Sequence, residues 1–166
     1  LKRLPEDFIV TEVSKIREDT QGTFSVYLLK KRSITTLEAV QIISKKLSLS
    51  HSSIGIAGLK DKHSLSTQYL SLPGREGKRW TIHEPHFDLE FLFYACEPIR
   101  IGYLEENIFE ITVRKISPSI LATLYKRVPL LSKGIPNYYG EQRFGSFSPG
   151  KGFIGKYILV KDYETA

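Results

Sequence analysis

Short segments in which apolar and polar side chains alternate recur along this chain, and they constrain its fold more than any other feature. The clearest is residues 107–114, and similar segments cover residues 23–29 and 67–72. Because successive side chains of a strand point to opposite faces, the pattern predicts strands with one face in a core. Residues 8–13, rich in β-branched side chains, and residues 89–95 are predicted as further strands. We expect a hairpin between the first two strands.

Two segments carry helix-start signals instead. Thr35 and Glu38 have the spacing of a capping box, so a helix is predicted to begin there and to end near residues 46–50. Ser117-Pro118 is an N-cap followed by Pro at the first helical position, and Pro129 should end or kink that second helix. Apolar positions at helical spacing predict the buried faces, which are Leu37, Val40, Ile43 and Leu47 in the first helix and Ile120, Leu121, Leu124, Tyr125 and Val128 in the second.

The order strand, strand, helix occurs in both halves, which suggests two similar β-β-α units packed edge to edge. We therefore predict an α+β fold, with a mostly antiparallel sheet, helices on one face and a basic catalytic cleft on the other. At 166 residues the chain has the length of one ordinary domain. It contains no methionine, including at position 1, so we expect an interior stretch with artificial ends.

Charge and composition favour a polyanionic partner. The formal net charge is +6, and the 18 aromatic residues accompany 24 Lys and Arg residues. Cations attract phosphates, and flat rings hold unstacked RNA bases. The single cysteine, Cys96, cannot form an internal disulfide, which fits a reducing compartment, and no apolar run is long enough to cross a bilayer.

One acidic side chain on a polar loop is the strongest candidate for chemistry. Asp61 lies between Lys60 and Lys62, with His63 next to them, in the segment that joins residues 54–57 to residues 66–72. Neighbouring cations favour the charged form of a carboxylate, and an ionised Asp can act as a nucleophile or a base. Gly58 is expected to permit a tight entry into the loop. A solvated turn is the ordinary alternative for a single Asp on a loop.

Three other clusters contain residue types that bind metals or phosphates in proteins. His83 and His86 are three residues apart, but Pro85 between them argues against a shared helical face, so no zinc site is predicted. Residues 150–156 are glycine-rich but lack the spacing of a phosphate-binding loop. Residues 134–145 form a glycine-rich segment in which Arg143 offers a planar charged group to a carboxylate or a phosphate.

Four motifs together resemble the tRNA pseudouridine synthase D family. They are Lys2 with Pro5-Glu6-Asp7-Phe8, then Gly58-Leu59-Lys60-Asp61-Lys62 with Thr67-Gln68, then the Gly102 to Phe109 element with Asn107, and finally Pro136-Asn137-Tyr138-Tyr139-Gly140-Glu141-Gln142-Arg143-Phe144-Gly145. They occur in the family's order. Tyr139 replaces the family's usual Phe and keeps a ring there. The resemblance implies that residues 1–166 are a portion of the catalytic domain, without the family's inserted domain and last catalytic segment.

The resemblance also implies roles for individual residues. Asp61 would be the catalytic carboxylate that isomerises a flipped-out uridine, and the family's substrate is uridine 13 of particular tRNAs. The partner would be tRNA in the cytoplasm, with neither a metal nor an organic cofactor. Phe109 would stack on the uracil, and the remaining expected substrate contacts are Phe8, Gln68, Asn107 and Tyr139, with Lys2, Lys60 and Arg143 keeping Asp61 ionised or binding phosphate.

Two other functions remain open from the residues alone. A non-catalytic or truncated RNA-binding domain would show the same basic residues and rings. A carboxylate-dependent glycosidase is the weaker alternative, because such enzymes normally use two acidic groups across the bond and this loop holds one.

Overall fold

A computed structural model describes residues 3–74 and 79–134, together with residues 147–148, 152–153, 157, 159–160 and 162. The chain divides into two compact units, Leu1–Lys115 and Ile116–Ala166. Each unit is described separately below. No helix among the described residues has both the length and the apolar character needed to cross a membrane.

The first unit is built on a seven-stranded sheet with one α-helix. The spatial order is β5-β6-β2-β4-β1-β7, with β3 added beside β4. All pairs are antiparallel except β1 with β4. The strands are β1 (Phe8–Ser14), β2 (Phe24–Arg32), β3 (Gly55–Ile56), β4 (Leu65–Pro73), β5 (Thr81–Glu84), β6 (Phe87–Ala95) and β7 (Leu104–Ile111), and the helix is α1 (Thr36–Leu47). The α+β class and the mostly antiparallel sheet are confirmed.

The pairing of the strands differs from the prediction in one respect. The expected hairpin between the first two strands is wrong, because β4 lies between β1 and β2 and pairs with both. Strands from the second half of the unit flank those of the first half, with β6 beside β2 and β7 beside β1. The unit is therefore one interleaved sheet and not two β-β-α units placed edge to edge.

Helix α1 begins with the predicted capping box. The Thr35 hydroxyl accepts a hydrogen bond from the Glu38 amide at 3.1 Å, and the Glu38 carboxylate accepts one from the Thr35 amide at 2.8 Å. Val40 and Ile43 are buried as predicted, together with Ala39, in a core formed against β2, β4 and β6. Leu37 is 51% exposed, which contradicts the prediction. It lies about 100° around the helix from the buried Thr36, outside the apolar stripe.

The second unit begins with α2 (Pro118–Arg127), capped as predicted by the Ser117 hydroxyl, which accepts from the Ile120 amide. The helix continues as a 3-10 segment, Val128–Lys133, so the change expected at Pro129 is confirmed. Two short strands, β8 (Phe147–Ser148) and β9 (Gly152–Phe153), pair antiparallel. The predicted buried face of α2 is wrong for this structure, because Ile120, Leu121, Leu124, Tyr125 and Val128 are all exposed.

Candidate active site

The Asp61 loop, residues 57–64, joins β3 to β4 at one end of the sheet. Leu65, the first residue of β4, lies beside Ile9 in the parallel β1–β4 pair, so the loop and the start of β1 share that end. Asp61 is exposed, whereas Lys60 before it and Ser64 after it are buried. Gly58 does not have a positive φ, and a Cβ built there would contact nothing. The tight entry expected of this glycine is therefore not required by the fold.

Side chains from α1 and β4 hold the main chain of the loop. The Lys60 amide donates to the Thr36 hydroxyl at 2.9 Å, and this hydroxyl donates to the Gln68 side-chain oxygen at 2.8 Å. The Gln68 amide nitrogen in turn reaches the Gly58 carbonyl at 3.4 Å. Gln68 is fully buried, so its observed role is to support the loop from inside the fold. This placement argues against the direct substrate contact that we expected for it.

Lys31, a buried lysine that the sequence analysis did not predict, forms hydrogen bonds to the main chain of the same loop. The Lys31 ammonium donates to the carbonyls of Ile34, Lys60 and Asp61 at 2.9, 3.2 and 2.8 Å. The Ser64 hydroxyl also donates to the Asp61 carbonyl, at 2.8 Å. Burial lowers the pKa of Lys31 from 10.5 to about 8, and the negative charge of Asp61 partly opposes that change. Nothing local in the sequence distinguishes Lys31 from the cations on either side of it.

Lys60 forms a buried ion pair. Its ammonium lies 2.7 Å from the Glu12 carboxylate, and the two side chains are 5% and 0% exposed. Glu12 also accepts from the Tyr69 amide at 3.4 Å. Because the Lys60 side chain points into the fold, the structure does not support its expected contact with phosphate. Lys62, which follows Asp61 in the sequence, lies 3.4 Å from the exposed Glu38 carboxylate.

A stacked aromatic pair with one exposed ring lies at the same end of the sheet as the Asp61 loop. The rings of Phe8 and Phe109 stack with centroids 5.8 Å apart and planes inclined by 21°. Phe109 is 55% exposed, so this predicted substrate-binding ring presents a large area to solvent. Phe109 is therefore a surface residue and not part of the core.

The strand register shows which face carries these groups. Directly paired residues point to the same face, and Phe109 pairs with Val10, which pairs with Ser66. Gln68 follows Ser66 by two residues and is bonded to Thr36 of α1, so all of them share the face that α1 covers. We expected the cleft on the face opposite the helix. The structure places the candidate site beside α1, over β1 and β7, which the helix leaves open.

Asn107 lies two residues before Phe109 on β7 and is paired with Glu12. Within the described part of the chain, its side-chain oxygen is buried without a hydrogen-bond partner. Most buried polar atoms are hydrogen-bonded, and leaving one unpaired costs about 1–3 kcal/mol.

The segment before β1 is tied to the end of β7 by a buried carboxylate. Asp7 accepts hydrogen bonds from the amides of Arg3 and Leu4 at 3.1 and 3.3 Å. The Arg114 guanidinium donates to it at 2.7 Å, and this bond lowers the pKa of Asp7 from 3.8 to about 2. Arg3, Leu4 and Pro5 line a cavity together with His63 of the Asp61 loop. The motif preceding Phe8 therefore borders the Asp61 loop at His63.

Comparison with known proteins identifies the family. The sequence model described as tRNA pseudouridine synthase D (TruD) matches residues 1–166. The chain belongs to the tRNA pseudouridine synthase D family. It is 39% identical over 159 residues to the Methanococcus maripaludis protein named "Probable tRNA pseudouridine synthase D 1", covering 96% of this chain and 40% of that one. It is 34% identical over 171 residues to the Aquifex aeolicus tRNA pseudouridine synthase D, covering 100% and 44%.

A solved structure of the tRNA pseudouridine synthase D family has the same fold. A crystal structure from Methanosarcina mazei with this family description superposes with a TM-score of 0.80 at 34% identity, covering 99% of this chain and 39% of that chain. This chain thus spans about two fifths of the length of the relatives that it matches.

The structure brings together several of the residues expected from the tRNA pseudouridine synthase D motifs. Asp61, Phe8 and Phe109 lie at one end of the sheet, and Asn107 lies on the same face. Lys2, Tyr139 and Arg143 lie outside the described residues. Lys60 and Gln68 lie beneath the loop, and Glu12, Lys31 and Thr36 are the supporting residues that the motifs did not reveal.

Proposed function

We propose that this protein converts a uridine within tRNA into pseudouridine, with Asp61 as the catalytic carboxylate. The observation that carries the proposal is an exposed acid on a loop held by buried side chains, at the same end of the sheet as the exposed ring of Phe109, which stacks on Phe8. Family membership supports tRNA as the substrate. A rigidly held reactive group lowers the entropic cost of reaching the transition state.

The isomerisation breaks the bond between N1 of uracil and C1′ of the ribose and forms a bond between C5 and C1′. The proton on C5 is lost and N1 gains one, so no atom is added overall and no oxidant is needed. The uracil has to leave the base stack and turn so that C5 faces C1′. One carboxylate can start this reaction by attacking C1′, by attacking the uracil ring or by removing a ribose proton.

Phe109 is proposed to receive the everted uracil on its exposed face, with Phe8 packed behind it. Ring-on-base stacking contributes about 1–3 kcal/mol per base. The unpaired Asn107 oxygen is a suitable acceptor for the uracil N3–H once a local adjustment exposes it. Such a pairing would offset the cost of leaving this acceptor unsatisfied in the free protein.

The tRNA backbone is proposed to contact basic residues near the site. Lys2 and Arg143 remain proposed phosphate or carboxylate ligands, and Tyr139 a proposed ring contact. The net charge of +6 predicts salt-sensitive binding. We propose uridine 13 as the target and the cytoplasm as the location, because both follow from the family resemblance. No cofactor is needed for the reaction as written.

The test compares Asp61→Ala and Asp61→Asn with the unchanged intact protein. Pseudouridine is measured by chemical labelling of a tRNA transcript with uridine at position 13, and tRNA affinity is measured in parallel. We expect pseudouridine formation to disappear while the dissociation constant changes less than threefold. Asp88→Asn is the matched control, because that carboxylate is on β6 and pairs with His83 at 2.7 Å. Equal binding with no product from any of the proteins would favour a non-catalytic RNA-binding domain.

A further inference from the structure

Lys31 is the most unusual charged group in the described part of the first unit. It lies near the end of β2, paired with Ser66 of β4 and Phe87 of β6, and is only 1% exposed. Lysine is almost never fully buried unless it is paired. Here the ammonium is surrounded by carbonyl oxygens, and its three N–H donors match the three carbonyls that accept from it.

The three acceptors come from two different parts of the chain. The Ile34 carbonyl immediately precedes the N-cap residue of α1, and the carbonyls of Lys60 and Asp61 belong to the Asp61 loop. The ammonium thus joins the end of β2, the start of the helix and the loop at one point. An apolar side chain in its place would leave three carbonyls without this donor, and burying an unpaired carbonyl costs free energy.

We propose that Lys31 is a positioning residue for Asp61, which fixes the main chain of the catalytic loop and so holds the carboxylate where the uridine arrives. The inference rests on the proposed function. The Asp61 carbonyl is held from two sides, by Lys31 and by Ser64, so rotation of this residue requires breaking two short hydrogen bonds. Substrate contact by Lys31 itself is excluded by its burial.

The protonation state of Lys31 gives a signature that a purely structural role would lack. Neutral lysine has two N–H donors instead of three and no charge, so it holds the loop less firmly. Burial lowers its pKa to about 8, an effect that the charges of Asp61 and Glu38 oppose and that of Lys60 increases, so the proton is lost within an accessible range of pH. The rate of the chemical step should therefore fall as the pH rises through about 8, and this decline should be absent without Lys31.

The decisive variant is Lys31→Met, which keeps the length of the side chain and removes the donors. Lys30→Met is the matched control, since Lys30 is the neighbouring strand residue and forms an exposed pair with Glu90. Single-turnover pseudouridine formation and tRNA binding are measured in the intact protein between pH 6 and 9.5. We expect a loss of about 10- to 100-fold in rate for Lys31→Met, since small misplacements of reacting groups have effects of that size. The tRNA dissociation constant should change less than threefold.

A second variant keeps the test decisive if Lys31→Met does not fold, as judged by circular dichroism. Ser64→Ala removes the other donor to the Asp61 carbonyl without changing charge. It should slow the reaction with unchanged tRNA affinity, and the unchanged protein should show the alkaline decline. The role of Lys31 is overturned if a folded Lys31→Met protein forms pseudouridine at the rate of the unchanged protein. It is also overturned if Ser64→Ala has no effect on this rate and the unchanged protein shows no fall in rate at alkaline pH. The proposed function fails separately, if Asp61→Ala remains active or the unchanged protein forms no product.

Discussion

Replacement of Glu12 by Gln should destabilise the protein far more than the loss of an ordinary ion pair. Glu12 is fully buried, and its partner Lys60 is 5% exposed, with 2.7 Å between the carboxylate and the ammonium. The amide keeps the shape of the carboxylate but leaves the ammonium buried without an anion. Breaking a buried pair in this way typically costs about 3–5 kcal/mol.

The pair formed by Lys30 and Glu90 provides an internal control. Its two charged groups lie 3.1 Å apart, on the adjacent strands β2 and β6, but the side chains are 46% and 45% exposed. Exposed pairs contribute about 0–1 kcal/mol, so Glu90→Gln should have little effect. The free energy of unfolding is measured in urea and followed by the fluorescence of Trp80, the only tryptophan in this sequence, which belongs to the same unit as both pairs.

The double variant Glu12→Leu/Lys60→Met separates the charge effect from packing. Apolar replacement of both members of a buried pair is often neutral or stabilising, so the double variant should recover most of the loss. The coupling free energy from the double-mutant cycle should exceed about 2 kcal/mol, against less than about 1 for Lys30 and Glu90. If Glu12→Gln costs no more than Glu90→Gln, the reasoning from desolvation is refuted.

Three further outcomes are expected. The pKa of Asp7 is lowered to about 2, so the contribution of Asp7 to stability is complete above about pH 4 and is lost as the pH falls towards 2. Arg114→Met removes the main cause of this low pKa and should move acid unfolding, followed by circular dichroism, to higher pH. Phe109→Ala should weaken tRNA binding or slow isomerisation by about 1–3 kcal/mol, because the ring that stacks on the base is lost. Phe109→Tyr keeps a ring and should retain most of the tRNA affinity and most of the isomerisation rate. Equal behaviour of the two variants would argue against stacking. Gly58→Ala should change stability by less than about 1 kcal/mol, because φ is not positive and the added Cβ has open space; a large loss on thermal unfolding would contradict this geometry.

Features that depend on neighbouring residues in sequence were predictable. The capping box at Thr35 and Glu38, the cap at Ser117 and the strand segments all depend on side chains within a few positions of one another. The position of Asp61 on a loop between two strands followed from the same local patterns. These signals are local because capping bonds and strand alternation are local interactions.

Features that depend on distant partners were not predictable from these patterns. Alternation identifies a strand but not its neighbour, which is why the hairpin between β1 and β2 was wrong. Lys60 was expected to keep Asp61 ionised or to bind phosphate, and its buried partner Glu12 gave no signal because it lies far away in sequence. Lys31 gave no signal, since its role depends on carbonyl groups and every residue carries one.

The single parallel pairing of β1 with β4 affects the order in which the protein can assemble during synthesis. β1 has β4 on one side and β7 on the other, and both are translated much later than β1 itself. Pairings between distant segments form slowly, because closing long loops costs entropy. The strand that carries Phe8 therefore leaves the ribosome without either neighbour, and the stacked pair of Phe8 and Phe109 cannot form until β7 has been translated.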